Sequence, residues 1–307
     1  MSRRSGGLDL AGRRVFVTGA AGGIGRATAL RAAAEGAELL LTDLDAAGLE
    51  ATAAEIRAAG GTVPYARAAD VSDHAAVRAM AEEIHAEGGA ADVVMNVAGI
   101  STWGTVQTLE NRHWRAMVEV NLMGPIHVIE SFVPAMIEAG RGGHLVNVSS
   151  AAGLLGLPWH AAYSASKFGL RGVSEVLRFD LRRHRIGVTL VCPGAVNTPL
   201  TETVEIVGVD RRSPAFRRFQ AAFRRRAATP EAVAEAILDG VRRGRYLVHT
   251  SRQVRVLHFL QRVAPPLYAV VMRLLSRVAF RVLGSATAPT TAAATDPSTT
   301  GAPREAR

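Results

Sequence analysis

With 307 residues, 48% of them apolar, the chain can bury the core of one large α/β domain or of two small ones. Its one cysteine, Cys192, excludes an intrachain disulfide and gives no sign of an oxidising compartment. The net charge is +9, and between Arg211 and Arg281 about sixteen arginines face three acids; this excess fits a nucleic-acid or anionic membrane partner, or equally a solvated face in an arginine-rich sequence.

Residues 1–10 read as an N-terminal tail. The twin arginines Arg3 and Arg4 have no apolar segment behind them, so no signal peptide is expected. No uninterrupted run of about 18 apolar residues occurs, which argues against a membrane-spanning helix. A cytoplasmic protein is therefore predicted.

A glycine-rich turn follows the first predicted strand, Arg14 to Thr18, and precedes a helix from about Arg26 to Glu35. Glycines between a strand and a helix let the backbone approach a pyrophosphate that lies on the helix N-terminus. The spacing GxxxGxG only partly meets the general dinucleotide fingerprint, and a simple tight turn is the alternative. The candidate cofactor residues of this segment are Thr18, Gly19, Gly23, Ile24 and Gly25.

Asp43 ends the second predicted strand, Glu38 to Thr42, eighteen residues after Gly25. A carboxylate at this place accepts hydrogen bonds from both adenosine ribose hydroxyls and repels a 2′-phosphate. No arginine or lysine lies in the loop before Gly25 or directly after Asp43. The sequence therefore predicts NAD rather than NADP as the cofactor.

Helices and strands then alternate. A helix is predicted over 49–59, a strand over 62–68, and a helix from the N-cap Ser72 to Glu87. Between them, Asp70 and Val71 form a loop that can meet the adenine edge. A fourth strand over 92–96 ends in a turn that adds three cofactor candidates, Asn96, Ala98 and Gly99.

The second half of the alternation begins with a long helix over 110–139, where Pro125 predicts a kink near Asn121. A strand over 144–149 delivers Ser150 to its carboxyl end. A helix running to about His184 and a strand over 188–192 follow, and the turn after that strand holds Pro193, Gly194, Val196 and Thr198. The alternation predicts an α/β Rossmann-type, doubly wound parallel sheet of about seven strands with helices on both faces. Ligands of such sheets bind at the carboxyl ends of the strands.

Tyr163 and Lys167 stand four residues apart, so they share one face of their helix. A nearby ammonium favours the phenolate and lowers the tyrosine pKa toward neutrality, while Ser150 can hold an alcohol or carbonyl oxygen beside the phenol. Lys167 is the only lysine in the chain, which indicates that its compact ammonium, and not charge alone, is required. The alternative is a chance pair on a surface helix.

These motifs together resemble the short-chain dehydrogenase/reductase family, in its shorter single-domain branch, over about residues 10–250. The resemblance implies that Ser150 positions the substrate oxygen, Tyr163 is the acid/base, and Lys167 holds the nicotinamide ribose and lowers the tyrosine pKa. It also implies that Asn121 holds a water of the proton relay and that Thr198 contacts the carboxamide. Two features depart from the pattern: Val97 replaces the second asparagine of the family's NNAG turn, and the glycine loop also fits the longer epimerase branch.

The dehydrogenase domain is expected to span 11–252, with a substrate lid over 199–228. A helix begins at Thr229 and Pro230 and runs to about Arg243, and 246–250 is a last edge strand. The candidate substrate wall is apolar and consists of Trp103, Leu155, Leu157 and Trp159, for which ordinary packing is the alternative. His160 is expected to start the helix of Tyr163 and to face solvent.

An apolar extension over 253–284 carries five arginines between Val254 and Leu283 and is divided by Pro265 and Pro266 into two amphipathic arms. The arms suit an anionic membrane surface, or they cap a dimer or fold over the lid. The tail over 285–307, rich in Thr, Ala and Pro, is expected to be disordered.

The leading functional hypothesis is an NAD-dependent oxidoreductase that interconverts a hydrophobic secondary alcohol and its ketone. The alternatives are an epimerase or dehydratase that retains its NAD, and a non-catalytic NAD-sensing protein. A homodimer or homotetramer is predicted because the helices of Asn121 and Lys167 carry more apolar positions than one sheet face covers. No metal is expected, and no nucleic-acid partner, because the basic segment lacks interleaved aromatic residues.

Overall fold

The structure is a computed structural model that describes residues 7–198 and 204–284. The predicted disordered tail, the start of the lid and the first six residues lie outside the described residues. The strands are β1 Arg14–Thr18, β2 Glu38–Asp43, β3 Thr62–Ala68, β4 Val93–Asn96, β5 Thr102–Trp103, β6 Gly143–Val148, β7 Ile186–Cys192, β8 Glu205–Ile206 and β9 Leu247–His249. The helices are α1 Gly23–Ala34, α2 Ala46–Ala58, α3 His74–Gly88, α4 Asn111–Val118, α5 Gly124–Ala139, α6 Ala161–Asp180, α7 Pro214–Arg226, α8 Pro230–Arg242, α9 Arg252–Val263 and α10 Pro265–Gly284.

Seven strands form one parallel sheet in the order β3-β2-β1-β4-β6-β7-β9. One apolar cluster packs α1 and α8 on one face, with Val15 and Val17 at its centre. A second cluster packs α3 and α5 on the other face, where Phe16 stacks on Phe132 with ring centroids 4.2 Å apart. The predicted doubly wound α/β fold is confirmed, and its C-terminal extension is helical.

Two boundaries predicted in the N-terminal half of the chain, the start of α3 and the end of the N-terminal tail, differ from the structure. Ser72 does not cap α3: Asp73 does, accepting from the backbone N–H of Ala76 at 3.1 Å, while Ser72 donates to Asp70. Asp and Ser are both good N-caps, so the sequence could not choose between neighbours. The N-terminal tail also ends earlier than expected, because Leu10 is fully buried in the core.

The predicted long helix is interrupted at Asn121 by a π-helical turn, Glu119–Met123, between α4 and α5. The backbone N–H of Gly124 bonds to the carbonyl of Glu119, five residues back. Pro125 lacks the N–H that would occupy the carbonyl of Asn121 in an α-helix, so the chain takes up one extra residue here. The expected kink is therefore a π-bulge.

The combined helical segment Asn111–Ala139 is long and apolar enough to span a membrane by length and composition, with a mean hydropathy of 1.3. Length and composition alone do not distinguish a spanning helix from a core helix of this size. Its residues Val128, Phe132 and Met136 are buried against the sheet, which identifies it as a core helix of the domain.

The C-terminal extension forms two helices, α9 and α10, separated at the predicted prolines. Val254 of α9 joins an apolar cluster with Leu155 and Leu190, and Leu283 of α10 joins Trp159 and Phe216. The arms therefore fold onto the domain beside α7. This is one of the two arrangements that the sequence left open.

Candidate active site

A cavity of about 600 Å³ lies at the carboxyl ends of the central strands. Three groups of predicted residues meet in it. Its lining includes Ser150, Tyr163 and Lys167, then the cofactor candidates Ile24, Gly99, Pro193, Gly194, Val196 and Thr198, then the wall residues Trp103, Leu155 and Leu157. The topology thus brings together side chains from widely separated parts of the sequence.

Tyr163 and Lys167 lie on the same face of α6, with the lysine Nζ atom 5.8 Å from the tyrosine ring centroid. The Nζ atom donates to the carbonyl oxygen of Val148 at 3.1 Å, which ties α6 to the end of β6. Ser150 follows two residues later, and its Oγ atom accepts from the backbone N–H of Ala152 at 3.1 Å. Lys167 keeps two further N–H donors that can face a ligand.

Burial shifts the pKa values of Lys167, Tyr163 and Cys192. It lowers the pKa of Lys167 to about 8 and raises the pKa of Tyr163, whereas a hydrogen bond with Ser150 lowers the tyrosine pKa. Lys167 is not among the causes that act on Tyr163, so the expected depression of the phenol pKa by the lysine is not found in the protein alone. Burial likewise raises the pKa of Cys192 to about 12, which leaves this thiol protonated and inert.

The glycine loop leaves no room for side chains. Gly19 has a φ of 73°, and a Cβ there would lie 2.9 Å from the backbone of Ala98. A Cβ at Gly25 would lie 1.9 Å from the carbonyl oxygen of Gly19. Helix α1 begins beside this loop with no side-chain cap and no acid in its first turn. An anionic pyrophosphate therefore fits here, since the helix N-terminus offers backbone N–H groups that no carboxylate occupies.

Asp43 stands at the carboxyl end of β2, where the sequence placed it. Its Oδ2 atom accepts from the backbone N–H of Ala21 at 2.9 Å, and its Oδ1 atom accepts from that of Asp45 at 3.0 Å. Each carboxylate oxygen has a second lone pair, so the group can still accept from ribose hydroxyls. Asp43 thus shapes the glycine loop and keeps free acceptor capacity, and its contact with the adenosine ribose stays a prediction.

Two predicted cofactor side chains serve the fold instead. The Oγ1 atom of Thr18 accepts from the backbone N–H groups of Val97 and Ala98 at 3.0 and 3.1 Å. The Nδ2 atom of Asn96 donates to the Oδ1 atom of Asn147 at 2.9 Å, away from the cavity. The side chain of Asn96 is thus engaged within the sheet, and a cofactor contact through its backbone stays a prediction.

Asp70 and Val71 shape the loop at the predicted adenine edge. The Oδ1 atom of Asp70 accepts from the backbone N–H of Ser72 at 2.8 Å, which closes a small turn. Val71 is buried, and its carbonyl oxygen lies 3.0 Å from the Nδ1 atom of His127. Neither residue lines the described cavity, so a contact with adenine remains a prediction.

His160 faces the cavity and not solvent, contrary to expectation. Its ring lies 4.3 Å from the Trp103 ring and 6.2 Å from the Tyr163 ring, between centroids. Its Nδ1 atom is 2.6 Å from the carbonyl oxygen of Pro158, which accepts and so fixes the proton on Nδ1. Burial lowers its pKa to about 4, so the imidazole is neutral and its Nε2 atom is a hydrogen-bond acceptor.

Trp159 does not line the main cavity. The residue is buried, with a φ of 66°, and its ring lies 5.6 Å from that of Phe280, between centroids. It borders a second, shallower cavity together with Phe280 and Val106. The assignment of Trp159 to the substrate wall is therefore wrong for the main cavity, because its backbone turns the indole toward α10.

Much of the substrate side comes from residues that the sequence did not single out. The described parts of the lid and the extension contribute Phe216, Gln220 and Phe223 of α7, Val254 and Leu257 of α9, and Leu275, Val278, Ala279, Val282 and Leu283 of α10. The only available signal was the amphipathic spacing of α10. Periodicity shows that a face is apolar but not which surface it meets.

Comparison with known proteins points in one direction. The family model described as short chain dehydrogenase matches residues 13–206, more than half of the chain. The chain is 38% identical over 255 residues to the Mycobacterium tuberculosis protein named "Probable oxidoreductase EphD". This match covers 82% of the chain but 43% of the relative, so the chain spans less than half the length of that protein. It is also 35% identical over 228 residues to another M. tuberculosis protein, which is named as an uncharacterized NAD-dependent oxidoreductase. This second match covers 70% of the chain and 82% of the relative.

Solved structures show the same likeness. A Burkholderia phymatum short-chain dehydrogenase/reductase in complex with NAD superposes with a TM-score of 0.76 at 29% identity, over 85% of the chain and 96% of that structure. A metagenomic short-chain oxidoreductase in complex with NADP superposes with a TM-score of 0.63 at 32% identity, over 79% and 96%. Both cofactors thus occur among the similar structures.

Proposed function

The chain belongs to the short-chain dehydrogenase/reductase family of NAD(P)-dependent oxidoreductases, and from this premise we propose that it interconverts a hydrophobic secondary alcohol and its ketone with NAD. One observation supports the proposal most strongly. Ser150, Tyr163 and Lys167 line the same cavity as the glycine-loop residue Ile24 and an extended apolar wall.

The proton chemistry belongs to three side chains. Ser150 holds the substrate oxygen in hydrogen-bond range of Tyr163, and its hydrogen bond lowers the Tyr163 pKa that burial has raised. Once deprotonated, the Tyr163 oxygen takes the hydroxyl proton as an alcohol is oxidised. In the reverse direction the phenol returns that proton to the carbonyl oxygen. Bound NAD supplies the hydride acceptor. Lys167 binds the nicotinamide ribose through the N–H donors that Val148 does not use.

Asn121 completes the proton path through its backbone. Its side-chain amide is fully buried and lies 3.4 Å from the Oγ atom of Ser166. Pro125 deprives the Asn121 carbonyl of its α-helical donor, so this oxygen is the group that can hold a relay water. The π-bulge thus has a use in the proposed mechanism.

The preference for NAD rests on Asp43. A 2′-phosphate would lie against a carboxylate that already shapes the loop through Ala21 and Asp45. The neighbouring Leu44 is 72% exposed and offers no positive charge. Repulsion between the Asp43 carboxylate and a 2′-phosphate beside it, with no cation at the neighbouring position to pair with either, disfavours NADP.

The substrate wall favours a lipophilic molecule with one or two polar groups. Aromatic and aliphatic side chains dominate the part of the cavity beyond Tyr163, and the indole N–H of Trp103 is taken by the Oγ atom of Ser101 at 2.7 Å. His160 adds one acceptor to this wall. We therefore infer a hydrophobic alcohol whose second polar group, if present, donates a hydrogen bond to His160.

The test is NADH formation by the purified protein across a panel of steroid, lipid, terpenoid and short-chain secondary alcohols. Turnover with free NAD for a lipophilic member of the panel is expected. An epimerase would retain its NAD and give no net NADH. An NAD-sensing protein would bind NAD without turnover of any alcohol or ketone.

We also propose that the protein forms a homodimer or homotetramer through α6. Phe168, Val176 and Phe179 of this helix are 39%, 59% and 60% exposed, an apolar surface that a partner helix would cover. The site helix and the proposed contact are then the same element. A pair of subunits would hold the Tyr163 helix in place from outside.

A further inference from the structure

Helices α9 and α10 present an outer face to solvent that nothing described in the chain covers. Its members are apolar residues at helical spacing, and we call them the outer face: Val256, Phe259, Val263, Leu267, Val270 and Leu274. Phe259 is 64% exposed and Leu267 is 54% exposed. Within each helix these residues recur at three- and four-residue steps and so share one face, and exposed apolar residues grouped in this way, unlike scattered ones, mark an interaction surface.

The charge of the same two helices has one sign. Residues 252–284 hold six arginines and no aspartate or glutamate: Arg252, Arg255, Arg262, Arg273, Arg277 and Arg281. Within the described part of the chain, none of the six forms an ion pair, and Arg273 bonds only to the carbonyl oxygen of Ala269 at 3.2 Å. The outer face is therefore apolar and bordered by cations.

We propose that the outer face docks on an anionic lipid bilayer, with its apolar residues in the interface and the arginines on the headgroups. An apolar stripe with a cationic rim is the pattern of a helix that lies in the membrane plane. A second copy of the chain is the weaker candidate. A two-fold contact through this face would bring the arginines of both copies together with no acid in either helix to offset them.

The outer face adjoins the substrate cavity. Leu275 and Val278 of α10 line that cavity and are also 41% and 56% exposed. The rim of the cavity therefore meets the proposed lipid surface at these two residues. This part of the inference rests on the proposed function, since it implies that a lipophilic substrate enters from the bilayer.

The experiment is co-sedimentation of the full chain with vesicles, since removal of α9 and α10 would open the core around Val254. Vesicles of phosphatidylglycerol mixed with phosphatidylcholine are compared with phosphatidylcholine alone at low and high salt. The variant carries Phe259→Ser, Leu267→Ser and Val270→Ser, none of which lines the cavity. Leu44→Ser, an exposed apolar residue beside Asp43, is the matched control.

The wild type and Leu44→Ser are expected to pellet with the anionic vesicles and to be released by salt. The triple variant should stay largely in the supernatant while its NAD binding is unchanged. The inference is overturned if the wild type ignores anionic vesicles at low salt, or if the triple variant pellets like the wild type. A change of mass in light scattering on the triple substitution, without vesicle binding by the wild type, would instead identify a second copy as the occupant. Absence of NAD binding in every protein would count against the proposed function and leave the sedimentation result standing.

Discussion

Asn121 and Ile100 are joined by two reciprocal hydrogen bonds, each 2.9 Å long. The backbone N–H of Ile100 donates to the Asn121 Oδ1 atom, and the Asn121 Nδ2 atom donates to the Ile100 carbonyl oxygen. The pair fastens the π-bulge to the loop after β4, directly beside Gly99, where a Cβ would lie 2.8 Å from Oδ1. The side chain of Asn121 therefore holds the loop after β4 in place, and its backbone carbonyl is the group that we propose for the proton relay.

Asn121→Ala should damage both stability and turnover. It leaves the part-buried backbone N–H and C=O of Ile100 without their partners, which costs about 1–2 kcal/mol in the free energy of unfolding. Denaturant unfolding and kcat measure the two effects. Ser166→Ala is the control: it removes the 3.4 Å contact with Asn121 and the hydrogen bond that the Ser166 hydroxyl donates to the Tyr163 carbonyl, but it leaves both bonds to Ile100 intact and should cost clearly less. Equal stability of Asn121→Ala and wild type would contradict this role.

Asp43→Asn tests the cofactor preference. The amide keeps an acceptor for the loop but loses the charge that faces a 2′-phosphate, so the ratio of kcat/KM for NAD over NADP should fall about 10-fold. Asp45→Asn, which alters the nearby cap of α2, should leave the ratio unchanged. A wild type that uses both cofactors equally would refute the role of Asp43.

Because His144 is buried in its neutral form, we expect the free energy of unfolding to fall in mild acid. Its Nε2–H donates to the Thr189 Oγ1 atom at 2.7 Å, because the Thr189 hydroxyl proton goes to the Arg245 carbonyl, and its Nδ1 atom is buried without a partner. Burial lowers its pKa to about 4 from 6.5. The unfolded chain therefore binds more protons between these values, and stability falls as the pH drops through that window.

The expected loss from His144 is about 2 kcal/mol between about pH 7 and about pH 5. His144→Leu should reduce the slope of this part of the stability profile in urea unfolding, while His160 and His249, whose pKa values burial also lowers to about 4, keep their own contributions. His184→Leu, at a partly exposed position, should keep the wild-type slope. If His144→Leu and wild type share one slope, the histidine is not the acid-sensitive group.

Phe179→Glu tests the proposed oligomer. A charge in the middle of an apolar contact is disfavoured, so the variant should dissociate while its fold is kept. Light scattering at micromolar concentration measures the mass, and Phe259→Glu on the outer face of α9 serves as the matched control. A monomeric wild type would disprove the oligomer.

The sequence was sufficient for the parallel sheet and for the meeting of Ser150, Tyr163 and Lys167 in one cavity. Strand and helix periods predicted a parallel sheet of about seven strands, and the four-residue spacing of Tyr163 and Lys167 predicted that both lie on one face of α6. The sequence did not predict the direction in which burial moves the Tyr163 pKa, because desolvation depends on packing from elements distant in the chain. The sequence also assigned Trp159 to the cavity wall and His160 to solvent, whereas the structure shows the reverse. The positive φ of Trp159, which a sequence pattern does not reveal, turns its indole away from the main cavity and leaves His160 there.

Tyr163→Phe tests the account most directly. The substitution removes one hydroxyl from a buried ring and keeps the cavity, so NAD affinity should remain while alcohol-dependent NADH formation falls by about 10²–10⁴-fold, the usual contribution of a positioned acid/base. Lys167→Arg, measured beside it, should lose rate and also weaken NAD binding, because the charge survives but the compact geometry does not. NADH formation at the wild-type rate by Tyr163→Phe would contradict the assignment of the catalytic group and, with it, the proposed function.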